Sequence, residues 1–172
     1  MKHKLWAGLL TALIALPALA STDEKVVNNA VYAIPDAQDW TEGAYALPPY
    51  PVAPQWVGFF VPLKSGYTFF VDGATLNLSQ DGVLHYVLRT LSASGAESLS
   101  LQGLQCAQRS VRSYAFGDSI NKQWIASTRA LWKRLNSDNP VNLRLANDVC
   151  PDWETPKTVA DVLSSVKKSP WY

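Results

Sequence analysis

Few side chains in this protein are suited to acid–base or nucleophilic chemistry. The 172 residues include two histidines, His3 and His85, and two cysteines, Cys106 and Cys150. His85 lies in an alternating run typical of a β-strand, and the sequence has no G-x-S-x-G motif to present a nucleophilic serine. A histidine in such a run is more often part of a sheet face than a catalytic base. We therefore predict a protein that is not an enzyme, with a small hydrolase using His85 as the alternative.

Three short motifs imitate those of penicillin-recognising serine enzymes. Ser119 to Lys122 matches S-x-x-K, Ser137 to Asn139 matches S-D-N, and Lys157-Thr158 begins a K-T-G motif. The last motif continues with Val159 instead of glycine, and each motif constrains only two or three positions. We interpret the match as coincidence.

Carboxylates that could act as a glycosidase pair stand at four positions, Asp72, Asp81, Glu97 and Asp118. Three of the four lie in or beside glycine-containing turns, where backbone geometry by itself favours aspartate. We therefore expect structural roles for them, and the hydrolase alternative would draw on these same carboxylates.

The N-terminus has the three parts of a secretory signal peptide. Lys2, His3 and Lys4 precede an apolar run from Leu5 to Leu16, and Ala18-Leu19-Ala20 supplies a small-residue cleavage site. A buried N-terminal helix is the alternative, but the polar residues that follow Ala20 disfavour it. We predict a signal peptide over residues 1–20, cleavage after Ala20, and a periplasmic product without a membrane span or a lipid anchor.

Two cysteines in an exported chain most simply form one disulfide, here between Cys106 and Cys150. Closing a loop of this length stabilises a fold by about 4 kcal/mol in the chain-entropy model. A free or redox-active thiol pair is the lesser alternative. Two distant cysteines and one remaining histidine do not make a zinc site, so we predict no cofactor and no metal, while a calcium site built only of carboxylates stays open.

The charge balance argues against nucleic acid as a partner. The chain has 15 Lys and Arg against 14 Asp and Glu, a formal net charge of +1, and its isoelectric point is near 7.7. Neither sign forms a long run, so no basic surface is indicated. With 48% hydrophobic residues, the composition is that of one ordinary globular domain, which we expect to be a monomer.

Prolines divide the mature chain into an extended lead-in, residues 21–55, and a single domain, residues 56–172. Pro35, Pro48, Pro49, Pro51 and Pro54 fix backbone angles and remove donors in the lead-in. The favoured interpretation is a proline-rich strip lying on its own domain, and the alternative is a docking peptide for a larger assembly.

The domain begins with short β-rich runs separated by turn residues, which predicts an antiparallel meander of about six strands. The runs are Val57 to Leu63, Tyr67 to Val71, Thr75 to Leu78, Val83 to Leu91, Ser98 to Cys106, and Val111 to Phe116. Apolar residues change phase at Gly103, between Leu101 and Leu104, which predicts a β-bulge there.

Two or three helices should follow the strands. Trp124, Thr128, Leu131 and Leu135 are spaced along one helical stripe, and Asn142 to Val149 suggests a short second helix. A third is predicted with Thr155 as N-cap and Pro156 at its first position, burying Val159, Val162, Leu163 and Val166. Strands first and helices last predict an α+β fold, with the disulfide joining the fifth strand to the helical end.

Several short motifs follow one another between about residue 40 and residue 168. They are Phe69-Phe70-Val71-Asp72, Leu76 to Leu78, Asp81 to Leu84 with Tyr86, Ser94 to Ala96, Gly103 to Cys106, Tyr114 to Gly117, Trp124, Trp132 and Cys150. Their order and spacing resemble the cryptic neisserial protein family, envelope proteins of uncharacterised activity. This chain departs from that pattern at His85, Gln102 and Gln105, where the family tends to have charged residues. The resemblance implies an exported domain and names no catalytic residue.

Aromatic side chains are the remaining candidates for a functional surface. Six tryptophans and seven tyrosines follow the predicted cleavage site, and exposed rings can stack on sugars or anchor proteins. We name Trp40, Tyr50, His85 and Trp171 as candidate contact residues. The sequence thus predicts an envelope domain that binds an envelope protein or peptidoglycan, with a hydrolase or a structural accessory subunit as alternatives.

Overall fold

One antiparallel sheet organises the protein in the computed structural model, which describes residues 40–169. Its eight strands are β1 (Trp56–Phe59), β2 (Thr68–Asp72), β3 (Asn77–Leu78), β4 (Val83–Leu91), β5 (Glu97–Gln105), β6 (Ser110–Asp118), β7 (Gln123–Ala126) and β8 (Lys133–Arg134). The strand order is β1-β2-β4-β5-β6-β7, with β3 paired to β4 and β8 paired to β6. The predicted meander and α+β fold are confirmed, because two helices follow the strands.

The long central strands lie close to their predicted positions, and β4 has the predicted bounds. The first strand is shorter than predicted and ends at Phe59 instead of Leu63. Pro62 has no N–H for the ladder, and the Leu63 N–H donates to the carbonyl of Val61 at 2.7 Å in a tight turn.

The helix predicted across Trp124, Thr128, Leu131 and Leu135 is wrong. Residues in this stretch form β7, which pairs with the C-terminal half of β6, and β8, which pairs with its N-terminal half. Without these partners β6 would be an edge strand with a row of unpaired N–H and C=O groups. Sheet pairing therefore outweighs the helical spacing of the apolar residues.

The two C-terminal helices are α1 (Pro140–Val149) and α2 (Val159–Lys168), joined through a 3-10 turn at Pro151–Trp153. The helix predicted from Asn142 is confirmed and begins two residues earlier, with Pro140 in its first turn. The predicted start of the last helix is wrong, because Thr158 and not Thr155 is its N-cap. The Thr158 hydroxyl accepts the Asp161 N–H at 3.1 Å and donates to the Asp161 carboxylate at 2.8 Å.

Both helices pack on one side of the sheet, which we call the helix face. Strand residues such as Leu84, Tyr86 and Leu104 meet Leu145 of α1 and Val162 of α2 there in one buried cluster. The disulfide Cys106–Cys150 ties the end of β5 to the end of α1 in this core, with the two Cα atoms 5.6 Å apart. None of the described helices has both the length and the apolar character to cross a membrane.

The opposite side of the sheet is covered by residues 40–50, a segment without helix or strand that we call the strap; the side is the strap face. Val87, Leu99 and Leu101 are buried there, with Tyr45 and Tyr50 of the strap packed against them. Both faces of β5 are buried: Leu99 and Leu101 lie on the strap face, and Leu104 lies on the helix face.

The β-bulge predicted at Gly103 of β5 is wrong, because β5 pairs with β4 in an unbroken register from Gln105 to Glu97. The register of β5 against β6 shifts between Leu101 and Gln102, which lie opposite Ala115 and Ser113. Tyr114 has no counterpart on β5, so the extra residue belongs to β6.

Candidate functional site

Asp81 holds the N-terminal half of the strap on the sheet. Its carbonyl oxygen accepts the Trp40 Nε1–H at 2.8 Å, and its carboxylate accepts the Gly43 N–H at 2.7 Å. Burial alone would raise the pKa of Asp81, but hydrogen bonds from Ser79, Gly43 and Val83 lower it below its ordinary value. Asp81 is therefore an ionised anchor of the strap at neutral pH.

Glu42 points from the strap toward the sheet and accepts three hydrogen bonds. Arg112 and Tyr114 of β6 donate to its carboxylate, and the Trp132 Nε1–H donates to it at 2.9 Å. The Glu42 side chain is only 11% exposed and forms an ion pair with the Arg112 guanidinium. These contacts join residues 70 and 90 positions away from Glu42 in the sequence.

His85 lies beneath the strap, with 1% of its surface exposed. The Tyr45 ring stacks on it with centroids 3.7 Å apart and planes within 1° of parallel. Burial lowers the pKa of His85 to about 4, so the ring is neutral at pH 7. Its Nε2 is 3.3 Å from the Tyr114 hydroxyl oxygen. Because that hydroxyl donates to Glu42, Nε2 carries the proton and donates in turn to Tyr114.

Gly103 makes room for this network. It lies between His85 on β4 and Arg112 on β6 in the paired strands. A Cβ atom at Gly103 would lie 2.5 Å from the Tyr114 hydroxyl oxygen and 2.9 Å from its Cε2 atom. The bulge directs the Tyr114 ring over this glycine, and burial, followed by the Glu42 hydrogen bond, raises the pKa of Tyr114 well above its ordinary range.

An open groove of about 410 Å³ lies between the strap and the sheet, and we call it the strap cavity. Its lining residues are Trp40, Thr41, Glu42, Gly43, Tyr45, Arg112, Tyr114 and Trp132. The Trp40 and Trp132 rings meet edge to face with centroids 5.3 Å apart. Arg112 donates to Glu42 with one terminal nitrogen, and its buried Nε has no partner within residues 40–169. The cavity thus combines aromatic walls with a carboxylate and with a guanidinium that has not used all its hydrogen-bond donors.

Two of the four residues named from the sequence belong to this region. Trp40 lines the strap cavity, and His85 lies under Tyr45 without lining it. Tyr50 lies further along the strap and does not line the cavity; its ring packs on that of Trp124 with centroids 5.2 Å apart. Trp171 and the predicted signal peptide, residues 1–20, lie outside the described residues, as do residues 21–39 of the lead-in.

Glu42, Arg112, Tyr114 and Trp132 were missed by sequence reasoning. Tyr114 and Trp132 entered the sequence analysis only as parts of the family pattern, and no motif links the four residues, which come from the strap, β6 and the β7–β8 connection. One usable signal was the glycine at Gly103 inside a predicted strand, since a missing side chain there marks the close approach of another group.

The four carboxylates considered as a catalytic pair serve separate turns and contacts. Asp72 is fully buried and accepts the N–H groups of Gln55 and Ala74 at 2.6 and 3.0 Å. Asp118 accepts from Asn121, which together with the Ile120 N–H lowers its pKa, and Glu97 pairs with Arg89 at 2.5 Å. Across residues 40–169, no cluster of three or more His, Cys, Asp or Glu side chains could hold a metal ion.

Comparison with known proteins agrees with the pattern seen in the sequence. The chain is 26% identical over 141 residues to cryptic neisserial protein 1 of Neisseria gonorrhoeae (strain ATCC 700825 / FA 1090), covering 72% of this chain and 70% of that protein. No solved structure matches the chain. Residues 35–167, which include the strap, the whole sheet and most of α2, match the CNP1-like family. The protein therefore belongs to the CNP1-like family.

Proposed function

We propose that this protein is exported to the periplasm and binds cell-wall saccharide, such as the glycan of peptidoglycan, in the strap cavity. The observation that carries the proposal is the meeting of aromatic rings with the Arg112–Glu42 pair in one cavity of about 410 Å³. Export is supported by the charged, apolar and small-residue segments of residues 1–20 and by the disulfide Cys106–Cys150.

A sugar ring matches both kinds of group in the cavity. Its C–H faces are apolar and pack on aromatic rings such as Trp40 and Trp132, while its hydroxyls both donate and accept. Arg112 supplies donors and the Glu42 carboxylate supplies acceptors, and their charges balance, which favours a hydroxylated ligand over a multiply charged one. Cavities of this size and mixed lining are typical of small-molecule sites.

Binding is better supported than hydrolysis because of the state of His85. The ring is covered by Tyr45, its Nε2 contacts the Tyr114 hydroxyl, and its pKa of about 4 leaves it a weak base at neutral pH. Tyr114 is held in its neutral form by a raised pKa and by donation to Glu42. The network therefore acts to orient the Glu42 carboxylate toward a bound sugar.

The test is sedimentation of the purified protein with insoluble peptidoglycan, followed by calorimetric titration with soluble oligomers of N-acetylglucosamine. Trp132→Ala removes a cavity wall and should weaken binding about tenfold or more, as expected for a buried aromatic contact. Trp153→Ala is the matched control, because Trp153 stacks on Arg109 outside the cavity lining. Equal binding by both variants and the wild type would overturn the assignment of the site.

A photo-crosslinking residue in place of Thr41, used in living cells, separates the saccharide from a protein ligand. We expect peptidoglycan fragments on the captured protein. Reproducible capture of one envelope protein, with no sugar binding by the purified chain, would contradict the saccharide proposal and favour the accessory-subunit alternative. N-terminal sequencing of the same product should begin at Ser21, and a retained Met1 would contradict export.

A further inference from the structure

A second surface lies at the β6–β7 corner of the helix face. Phe116 of β6 and Ile125 of β7 are direct cross-strand neighbours there, on the side of the sheet that α1 and α2 cover elsewhere. Phe116 is 48% exposed, Ile125 56% and Leu131 68%, although each is a large apolar side chain. Apolar side chains grouped in this way mark interaction sites more often than chance exposure.

A recess of about 250 Å³ with a mixed polar and apolar lining adjoins these side chains, and we call the recess and its apolar border the corner surface. The recess is lined by Val111, Ser113, Phe116, Ser127, Arg129, Leu131, Lys133, Asn139 and Asn142. Two lining residues are cations and none is acidic. Neither Arg129 nor Lys133 forms an ion pair with any residue between 40 and 169. Asp138, in the next turn, accepts from Asn136 and is not a lining residue.

We propose that the corner surface docks on a membrane that contains anionic phospholipid. A phosphodiester headgroup would be held in the recess by Arg129 and Lys133, with hydroxyl and amide groups as additional donors. Phe116, Ile125 and Leu131 would contact the acyl region beside it. Cations and exposed apolar residues on one surface are the combination that peripheral membrane attachment requires.

The apolar border favours a lipid surface over an acidic peptide. An acidic peptide would satisfy the two cations, but it would leave Ile125 and Leu131 exposed to water beside it. A lipid offers both an anion and an apolar chain in one molecule. The corner surface is on the opposite face from the strap cavity, so a membrane and a saccharide could be bound at the same time.

The experiment is sedimentation of the purified full-length mature protein with vesicles of phosphatidylcholine and phosphatidylglycerol at 3:1, against vesicles of phosphatidylcholine alone. We expect binding to the anionic vesicles only. Arg129→Gln/Lys133→Gln should weaken it about 30-fold, since each basic residue near such a surface contributes about 1 kcal/mol. Lys64→Gln/Lys157→Gln is the matched control, with the same loss of charge at exposed residues outside the recess.

A separate variant tests the proposed contact of the apolar side chains with the acyl region. Leu131→Ser should also weaken vesicle binding while its urea unfolding midpoint stays at the wild-type value, which shows that the variant is folded. Equal losses in the recess variant and the Lys64/Lys157 control would mean nonspecific charge attraction and would overturn the proposal. It would equally be overturned if anionic vesicles fail to bind the wild type, or if an acidic peptide binds the corner surface in their place.

Discussion

The two faces of the sheet are covered by different kinds of structure. The helix face is covered by α1 and α2 with a continuous apolar cluster, and the disulfide lies within it. The strap face is covered by an irregular segment that is held by side-chain hydrogen bonds. Asp81 accepts a strap N–H, and the Glu42 carboxylate of the strap accepts from Arg112, Tyr114 and Trp132. Helices satisfy their own backbone groups, whereas an irregular segment needs partners on the surface that it covers.

This difference explains why the candidate site is on the strap face. Side-chain hydrogen bonds to the strap place charged and aromatic groups around a cavity, and a close-packed apolar layer has no such groups to offer a ligand. The part of the helix face under α1 and α2 should therefore contribute most of the stability, and the strap face most of the saccharide binding. Four measurements test that division.

The largest effect should come from removing the disulfide. Cys106→Ala/Cys150→Ala should lower the free energy of unfolding by about 4 kcal/mol, because the unfolded chain gains the freedom of a long loop. Urea titration measures the loss. In dithiothreitol the variant and the wild type should become equally stable, and a persistent gap there would point to lost packing instead of the crosslink.

Gly103→Ala should cost about 3 kcal/mol, because its methyl group would overlap Tyr114 in a network that cannot easily move. In a protein that already has Tyr114→Ala, adding Gly103→Ala should lower the free energy of unfolding much less, since the overlapping ring is gone. Thermal unfolding of the two single variants and the double variant measures this coupling. Additive losses would mean that Gly103 is needed for a reason other than the approach of Tyr114.

His85 should make the strap face sensitive to acid. Its pKa is about 4 in the folded protein and near 6.5 in the unfolded chain, so the unfolded state binds more protons between these values. The contribution of neutral His85 to the free energy of unfolding is fully present above pH 6.5. It should fall by about 2 kcal/mol as the pH is lowered from 7.5 to 5. In His85→Phe, which keeps a ring under Tyr45, the loss over this pH range should disappear. An unchanged pH dependence in that variant would assign the loss to other groups.

Asp81→Asn should have the smallest effect, about 1 kcal/mol, because the amide replaces a carboxylate oxygen that accepts the Gly43 N–H. Hydrogen exchange at strap residues should become faster while exchange in α1 and α2 stays unchanged. Uniformly faster exchange throughout the protein would show that Asp81 supports the whole fold and not the strap alone.

Local sequence signals were sufficient where the pattern of a run agreed with the tertiary contacts around it. These signals placed β4 to the residue and the start of α1 within two residues. They failed where tertiary contacts decided the outcome: residues 124–135 became β7 and β8 because β6 offered a free edge. The phase change at Gly103 was misassigned because burial of both faces hides which strand has the extra residue.

The sequence by itself determined the family pattern, the α+β order of elements and the two cysteines that form the disulfide, because these depend on local periodicity and on residue counts. Only the tertiary structure decided that Glu42 meets Arg112, Tyr114 and Trp132. Their separation of up to 90 residues leaves no local signature. They are brought together by strand register, a bulge and a strap, and these are set by the packing of the whole chain.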